Sequence, residues 1–423
     1  MSVYPTESDV ERFILVGVEA DSQEEDAEKS LDELCDLLHT AGGEEAGRVI
    51  QKLEAIHPRT YVGSGKVQEI KAMLGATGAQ GIICDDELSP AQLKNLSDLL
   101  DTKIIDRTLL ILDIFSQRAS TKEGKLQIEL AQLEYRLTRL TGLGTSLSRQ
   151  GAAVGTHTRG AGETKLETDR RHIRARMDTL RAQLKEVAAQ RDRKRAEREK
   201  NEMTVVALVG YTNAGKSTLF NRLTQAQVLE EDKLFATLDT TTRRCVLPSG
   251  RTILLVDTVG FIHKLPHHLI KAFRATLEET VYADILLHVV DGADENAQLQ
   301  MQVTYDELKG LKAADKPIFT VLNKQDKVVA EGQLLKPPYP AEEILRVSAF
   351  EPADLLRLKE VVDAFLDKQE VVLEVLIPYA EGSVAAQLRQ GAQVLQEDYR
   401  ENGLYMELRL KPRYQALAEK YRL

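Results

Sequence analysis

The stretch MTVVALVGYTNAGKSTLFNRLT, residues 203–224, determines the fold of the segment around it. Its apolar first half predicts a buried strand, and LFNRLT predicts the start of a helix. Between them, Gly210 to Ser217 match the GxxxxGK[ST] pattern of a phosphate-binding loop. The glycines let backbone N–H groups converge on phosphates, Lys216 places a charge at the β- and γ-phosphates, and the Ser217 hydroxyl ligates Mg²⁺. The stretch therefore predicts a nucleotide-binding α/β domain.

A second apolar stretch, RTILLVDTVG at 251–260, ends in Asp257. A carboxylate at this place can hold Mg²⁺ through water, and the Gly260 N–H can face the γ-phosphate. Between the two stretches lies FATLDTTTR, where we expect a threonine to complete the Mg²⁺ shell. We predict Thr237, because FATLD resembles the switch of Obg-like GTPases. The alternatives are the threonines that follow, Thr240, Thr241 and Thr242.

A third apolar stretch, KPIFTVLNKQD at 316–326, predicts which base is bound. The Asp326 carboxylate can accept from guanine N1–H and the 2-amino group, whereas adenine offers neither donor. We expect Asn323 to brace neighbouring loops and the Lys324 stem to cover the base. Val347–Ala349 would reach the 6-oxo oxygen through backbone N–H groups. The pattern indicates a guanine nucleotide and resembles the translation-factor-related class of P-loop GTPases.

These motifs define the predicted site. The predicted nucleotide-binding residues are Gly210, Tyr211, Thr212, Asn213, Ala214, Gly215, Lys216, Ser217, Thr218, Phe235, Ala236, Thr237, Leu238, Asp239, Asp257, Thr258, Val259, Gly260, Asn323, Lys324, Gln325, Asp326, Val347, Ser348 and Ala349. The predicted Mg²⁺ ligands are Ser217, Thr237 and, through water, Asp257. The predicted catalytic residues are Lys216, Thr237, Gly260 and Asn213.

Phe261 follows the DTVG motif at a position where many Ras-like GTPases carry a glutamine that orients the attacking water. Phenylalanine cannot do so, and we expect slow hydrolysis alone or another way of placing the water. Asn213 resembles the asparagine of potassium-activated GTPases, which makes K⁺ a candidate cofactor; the alternative is an ordinary loop residue. We interpret His263, His267 and His268 as surface residues of a mobile switch, and not as metal ligands.

Composition and charge indicate a cytoplasmic protein. The sequence contains no run of about 18 apolar residues, so no membrane span is predicted. The three cysteines form no CxxC pair. The net charge of −10 hides an asymmetry, because residues 102–200 carry 22 basic and 13 acidic side chains. Residues 1–101 carry 8 basic and 21 acidic ones. A basic face between acidic segments predicts a polyanionic partner met at one place.

The predicted fold class is α/β: a P-loop GTPase domain preceded by a small α/β domain and an antiparallel helical hairpin, with a small α+β C-terminal domain. The predicted bounds are 1–106, 107–200, 201–368 and 369–423. Two leucine-rich stripes spaced four and three residues apart predict the hairpin. Its Gly-rich tip loop is predicted at 141–164. The predicted RNA-binding residues around the tip are Arg149, Arg159, Lys165, Arg170, Arg171 and Arg174.

The combination of YVGSGKVQEI (61–70), GTHTRGAGETKLETDRR (155–171) and the GTPase motifs resembles the HflX family, in particular its enterobacterial type. The resemblance implies a GTPase that binds the large ribosomal subunit and splits stalled or idle ribosomes under stress such as heat shock. It also implies a hairpin that reaches toward ribosomal RNA. We expect a monomer that binds GTP and GDP, without DNA or integral membrane association. We interpret GSGK at 63–66 as a turn that opens a helix.

Two other functions fit the residues. One is a GTP-gated scaffold that docks proteins on its hairpin, with the tip as a plain connector. The other is an RNA remodeller that uses ATP as well as GTP, since phosphate contacts alone permit weak ATP hydrolysis. Comparing ATP and GTP affinity separates the second from a strict GTPase.

Overall fold

The structure is a computed structural model, and it describes residues 10–20, 26–150, 161–200, 203–225, 234–264, 274–328, 335–410 and 412–423. The strands are β1 Arg12–Ala20, β2 Glu44–Leu53, β3 Gly81–Cys84, β4 Lys103–Asp106, β5 Val205–Gly210, β6 Thr241–Val246, β7 Thr252–Asp257, β8 Ile285–Asp291, β9 Ile318–Asn323, β10 Glu343–Arg346, β11 Val371–Ile377, β12 Ala392–Arg400 and β13 Gly403–Leu410. The helices are α1 Ala27–Ala41, α2 Ser64–Thr77, α3 Pro90–Leu100, α4 Arg107–Arg118, α5 Lys122–Gln150, α6 Ala161–Lys200, α7 Lys216–Thr224, α8 Arg274–Tyr282, α9 Ala297–Gly310, α10 Pro352–Gln369, α11 Gly382–Gly391 and α12 Pro412–Ala418.

The N-terminal sheet has the strand order β2-β1-β3-β4 and is parallel throughout. Its two central strands, β1 and β3, are apolar and buried, as is usual for parallel strands that are covered on both faces. The edge strand β2 is more polar and only partly buried. Helix α1 begins at the Asp26 cap and ends at Gly42, whose φ of 90° suits glycine. The GSGK segment lies at the start of α2, in agreement with the interpretation as a helix-opening turn.

The two long helices α5 and α6 pack against each other as the predicted hairpin. The tip bounds of 141–164 need correction, because α5 continues to Gln150 and α6 already begins at Ala161. The leucine spacing continues through Leu143 and Leu147 in sequence, and a helical glycine costs only about 1 kcal/mol. Residues 151–160, with the predicted RNA contact Arg159, lie outside the described residues.

The GTPase sheet has the order β10-β9-β8-β5-β7-β6, and only β6 runs antiparallel to its neighbour. Its parallel strands β5, β7 and β9 therefore end at the same edge. The three motifs of the sequence follow these three ends, as ligand sites in open α/β sheets do. The expected α/β class is confirmed.

The last segment is an antiparallel sheet of order β11-β13-β12. The edge strand β12 has the polar sequence AQVLQEDYR, and most of it is exposed. None of the helices described above combines the length and the hydrophobicity that a bilayer span requires.

One hydrophobic core joins the N-terminal sheet, the base of the hairpin and the GTPase domain. It contains Leu34 of α1, Phe115 of α4, Tyr135 of α5, and both Phe235 and Phe261 of the GTPase domain. Side chains from all three parts therefore pack in one core beside the nucleotide-binding motifs.

Candidate nucleotide site and its contacts with the hairpin

Two glycines of the phosphate-binding loop have backbone angles and surroundings that exclude a side chain. Gly210 has a φ of 148°, and a Cβ there would lie 2.1 Å from the Val289 carbonyl oxygen. Gly215 has a φ of 90°, and a Cβ there would lie 2.3 Å from Nδ2 of Asn323. The loop is thus packed between two neighbouring strand ends, with α7 starting directly behind it at Lys216.

Lys216 is buried at the centre of this loop. Its Nζ donates to the carbonyl oxygens of Gly210 at 3.1 Å and Tyr211 at 2.5 Å. Burial lowers the pKa of Lys216 to about 8, while the nearby Asp257 carboxylate opposes this shift. A buried ammonium without an anionic ligand is costly, and phosphate oxygens supply the missing charge.

The three predicted Mg²⁺ ligands lie together. Ser217 Oγ is 2.7 Å from Thr237 Oγ1 and donates to Asp257 Oδ2 at 2.8 Å. Thr237 Oγ1 also donates to Asp257 Oδ2, at 3.1 Å. Two hydroxyls around one carboxylate form the hard oxygen donor set that Mg²⁺ prefers. The residues therefore fit the metal, and Thr237, not one of the alternative threonines, is the one placed against Ser217.

The DTVG segment lies directly against the loop. A Cβ on Gly260 would come within 2.7 Å of the Thr212 Cα and 2.9 Å of the Lys216 Nζ. Phe261 pairs with the loop through its backbone, accepting from Thr212 N at 2.7 Å and donating to the Gly210 carbonyl at 3.0 Å. The Phe261 side chain is only 1% exposed and belongs to the shared core. This aromatic ring therefore does not face the reacting phosphate.

The residues of the NKQD motif connect three loops. Asn323 Nδ2 donates to the Ala214 carbonyl at 3.0 Å, and its Oδ1 accepts from Ala349 N at 3.2 Å. Asp326 Oδ1 accepts from Ser348 Oγ at 2.6 Å. Lys324 Nζ lies 2.7 Å from Asp291 Oδ2. Asn323 thus braces the loops as predicted, and Asp326 is held beside the Val347–Ala349 segment.

A cavity of about 60 Å³ lies between these elements. It is lined by Thr212, Asn213, Gly215, Lys216, Ser217, Thr218, Phe235, Ala236, Thr237, Thr258 and Gly260. All of these were in the predicted set. Leu238 and Val259 are instead buried in the shared core, where their side chains support the backbone.

Asp239 requires a correction, because its side chain lies outside the cavity. Its carboxylate accepts hydrogen bonds from the backbone N–H and hydroxyl groups of Ser120 and Thr121, directly before α5. Thr121 caps the helix, since its Oγ1 accepts from Gly124 N at 3.0 Å, and Asp239 holds this capping residue in place. The sequence contained a signal that was overlooked, since Ser-Thr before KEGKLQIEL is typical of a helix start.

Tyr211 also turns away from the cavity, toward the N-terminal sheet domain. Its hydroxyl donates to Glu33 Oε2 at 2.7 Å and accepts from His263 N at 2.8 Å. Glu33 also pairs with the buried Arg107, whose Nη1 lies 2.7 Å from Asp85. Sequence reasoning missed this network because its members lie far apart in the chain.

Lys264 extends the same network from the GTPase side. Its Nζ lies 2.7 Å from Asp85 Oδ2. His263 and Lys264 come directly after the DTVG motif and its two apolar neighbours, so the segment that follows this motif is bound to the N-terminal sheet domain. His267 and His268, which the sequence analysis interprets as surface residues, lie outside the described residues.

The predicted RNA contacts of the hairpin fall into two groups. Arg171 and Arg174 are exposed on α6. Arg170 Nη2 donates to the Leu140 carbonyl at 3.5 Å and therefore also holds the two helices together. Arg149 and Lys165 lie in α5 and α6, and their side chains are outside the described part of the structure.

A phosphate-binding loop, an oxygen-lined metal position and a guanine-type NKQD motif at adjacent strand ends define the chain as a P-loop GTPase. Three family profiles match it in order: GTP-binding GTPase N-terminal at 28–116, GTP-binding GTPase Middle Region at 118–198 and 50S ribosome-binding GTPase at 205–324. The GTPase HflX of Lacrimispora saccharolytica is 51% identical over 396 residues, 94% of this chain and 92% of the relative. The chain therefore belongs to the HflX family of GTPases, and the family expectation is confirmed.

A second relative supports the same family. The GTPase HflX of Escherichia coli is 48% identical over 305 residues, which is 72% of this chain and 71% of the relative. A crystal structure of a GTP-binding protein from Sulfolobus solfataricus in complex with GDP is 25% identical, with a TM-score of 0.43, and covers 84% of this chain and 99% of that one. The family assignment depends on the sequence matches and not on this structural likeness.

Proposed function

We propose that this GTPase binds the large ribosomal subunit in the cytoplasm and dissociates stalled or idle ribosomes under stress such as heat shock. The match of 205–324 to a family described as 50S ribosome-binding GTPase supports the partner. The observation that carries the proposal is the hairpin, a basic arm of two long helices on an otherwise acidic chain. Such an arm neutralises RNA phosphates at one place without binding RNA everywhere.

In this proposal the chain's own residues hold GTP for attack. Lys216 neutralises the β- and γ-phosphates, and the loop N–H groups bind the phosphate oxygens. Ser217 and Thr237 would hold Mg²⁺, and Asp257 would hold it through water. The bound Mg²⁺ would neutralise the negative charge that develops on the phosphates. The Gly260 N–H faces the γ-phosphate, and Asp326 selects guanine.

The attacking water needs a group that the Phe261 side chain does not supply. We propose that hydrolysis is slow in the isolated protein and that the large subunit completes the site. Asn213 is a candidate K⁺ ligand in this scheme. It lines the nucleotide cavity together with Lys216 and Ser217, so a cation bound to it would bring positive charge close to the phosphates.

The arginines of α6 indicate which part of the hairpin contacts RNA. Arg176 pairs with Glu129 at 2.7 Å and Arg181 with Glu134 at 3.0 Å, so these residues hold α6 on α5. Arg171 and Arg174 lie nearer the tip and are exposed. We therefore assign RNA contact to the exposed Arg171 and Arg174, and hairpin cohesion to the arginines that bond to α5.

The test is co-sedimentation with purified large subunits over a range of salt concentrations. Replacing Arg171 and Arg174 by glutamine is expected to weaken binding and to reduce the log–log salt slope by about 0.7–0.9 for each RNA phosphate that is no longer neutralised. Arg181→Gln is the matched control on the same helix and should leave the slope unchanged. An unchanged slope in the double variant contradicts RNA docking through the tip.

The two alternatives predict other results. A protein scaffold would show no dependence of its GTP turnover on ribosomal RNA. An ATP-using RNA remodeller would hydrolyse ATP at a rate that RNA raises. We also propose a monomer that does not bind DNA, which sedimentation of the free protein and a DNA competition control test in the same series.

A further inference from the structure

Asp239 holds the segment that contains Thr237 against the start of the hairpin. Its Oδ2 accepts from Ser120 N at 2.8 Å, Ser120 Oγ at 2.7 Å and Thr121 N at 2.8 Å. Its Oδ1 accepts from Thr121 Oγ1 at 2.5 Å. A carboxylate at a helix N-terminus is favoured by the helix dipole.

The neighbours of Thr237 are anchored to the same part of the molecule. The rings of Phe235 and Phe115 of α4 meet edge to face, with centroids 4.6 Å apart. Leu238 is 2% exposed in the core that α4 and α5 share. The segment is therefore bound on one side to the Mg²⁺ position and on the other to the two helices that lead into the hairpin.

A side chain at Gly124 of α5 would displace the Asp239 carboxylate. A Cβ on Gly124 would lie 2.6 Å from Asp239 Oδ1. The preceding residue, Glu123, pairs with Arg191 of α6, and Arg191 also pairs with Glu278 of α8. The first turn of α5 is thus the point where the switch segment, the second hairpin helix and the GTPase domain meet.

We propose that Asp239 is a positioning residue that couples the nucleotide state to the hairpin. The proposal rests on the proposed role of Thr237 as a Mg²⁺ ligand. Two residues of extended chain span at most about 7 Å, so Thr237 cannot leave the metal position by more than a few ångströms without disturbing Asp239. Loss of the γ-phosphate releases switch segments of this kind in GTPases.

The coupling acts in both directions because linkage between two sites is reciprocal. GTP with Mg²⁺ holds Thr237 in place, and Asp239 then fixes the start of α5. A partner that fixes the hairpin favours, by the same contact, the position of Thr237 that holds the metal. The position of the hairpin that a partner meets therefore depends on the bound nucleotide, and binding of the partner in turn stabilises the GTP-bound state.

Hydrogen exchange on the full chain tests this, because Ser120 and Thr121 donate their amide protons to Asp239. The exchange rate of the segment around residues 118–126 is measured with Mg²⁺ and either a non-hydrolysable GTP analogue or GDP. We expect exchange at least about 5-fold slower with the GTP analogue, the lower end of typical coupling between sites. In Asp239→Asn this nucleotide-dependent ratio should fall to about 1.

Two further variants separate coupling from a weakened helix. Gly124→Ala approaches the same carboxylate from α5, and alanine favours a helix more than glycine does. In Gly124→Ala the ratio of the exchange rates with the two nucleotides should also fall to about 1, although the helix itself is strengthened. Ser89→Ala removes the side-chain cap of α3, where Ser89 accepts from Gln92 N at 3.2 Å, and should leave the ratio intact.

Titration of the same samples with a fluorescent GTP derivative distinguishes a failure of the proposed coupling from a failure of the proposed nucleotide site. If the protein binds GTP with Mg²⁺ but exchanges equally with both nucleotides, the coupling is wrong and the nucleotide site stands. The same holds if Asp239→Asn keeps the wild-type ratio. If the wild-type protein does not bind GTP, both the site and the coupling are wrong.

Discussion

The hydroxyl of Tyr211, inside the phosphate-binding loop, donates at 2.7 Å to the carboxylate of Glu33 in the N-terminal sheet domain. The same hydroxyl accepts from the backbone N–H of His263, two residues after Phe261. Burial raises the pKa of Glu33, although Arg107 opposes the shift. One side chain thus links the nucleotide loop, the segment behind the γ-phosphate and a second domain.

Tyr211→Phe is expected to lower the free energy of unfolding by about 1–3 kcal/mol, because it leaves buried partners of the hydroxyl unsatisfied. Urea denaturation followed by circular dichroism measures this. Glu33→Gln and the double variant complete a double-mutant cycle. Tyr211 and Glu33 should show a coupling energy of about 0.5–3 kcal/mol. Additive effects of the two single variants would mean that the contact does not stabilise the domain interface.

Thr237→Ala is expected to raise the Mg²⁺ concentration needed for half-maximal GTP turnover by about 10-fold or more, since the variant lacks one hydroxyl of the metal position. Thr240→Ala is the matched control, because Thr240 was an alternative in the sequence but Thr237 is the residue placed 2.7 Å from Ser217. Turnover as a function of Mg²⁺ checks both variants. A larger effect from Thr240→Ala would assign the metal ligand to that residue instead.

Asp326→Asn is expected to weaken GTP binding by about 10-fold or more, while ATP binding stays as weak as in the wild-type protein. The asparagine presents an amide to guanine donors where the carboxylate accepted from them. Equilibrium titration with fluorescent guanine and adenine nucleotides measures the selectivity. If both nucleotides lose affinity equally, Asp326 does not select the base.

Phe261→Gln is not expected to create a fast GTPase. The Phe261 side chain is 1% exposed within the shared core, so a buried amide there should lower the free energy of unfolding by about 2–5 kcal/mol. Thermal unfolding and single-turnover hydrolysis are the measurements. A stable variant with many-fold faster hydrolysis would show that the side chain at this position reaches the attacking water.

The pKa of Lys216 predicts how GTP affinity depends on pH. Burial lowers this pKa to about 8 in the nucleotide-free site, and phosphates raise it on binding. Above pH 8, Lys216 of the nucleotide-free protein is mostly deprotonated and must take up a proton when GTP binds. The affinity for GTP therefore falls by up to about 10-fold per pH unit.

The shifted pKa of Lys216 affects the stability of the nucleotide-free protein in the opposite direction. The unfolded lysine binds the proton up to its ordinary pKa of about 10.4, so unfolding becomes less favourable as the pH rises from 8 toward that value.

The sequence predicted the elements whose periodicity and motifs are local. Gly210–Ser217 follows a strand and opens a helix, and Ser217, Thr237 and Asp257 meet as expected. It could not predict contacts between distant segments, such as Asp239 with Thr121, since no local pattern pairs residues 118 positions apart. The tip bounds failed for a different reason, because glycine in a long helix is only weakly unfavourable.

The most direct test of the account is GTP turnover of the purified protein, alone and with purified large ribosomal subunits, at two salt concentrations. The account predicts a slow basal rate that the subunits raise many-fold at low salt and that high salt returns toward the basal value. That result would mean that the basic tip docks on RNA and that the ribosome completes the site which Phe261 leaves without a water-orienting group. A rate unchanged by the subunits at both salt concentrations would contradict it and favour the protein-scaffold function.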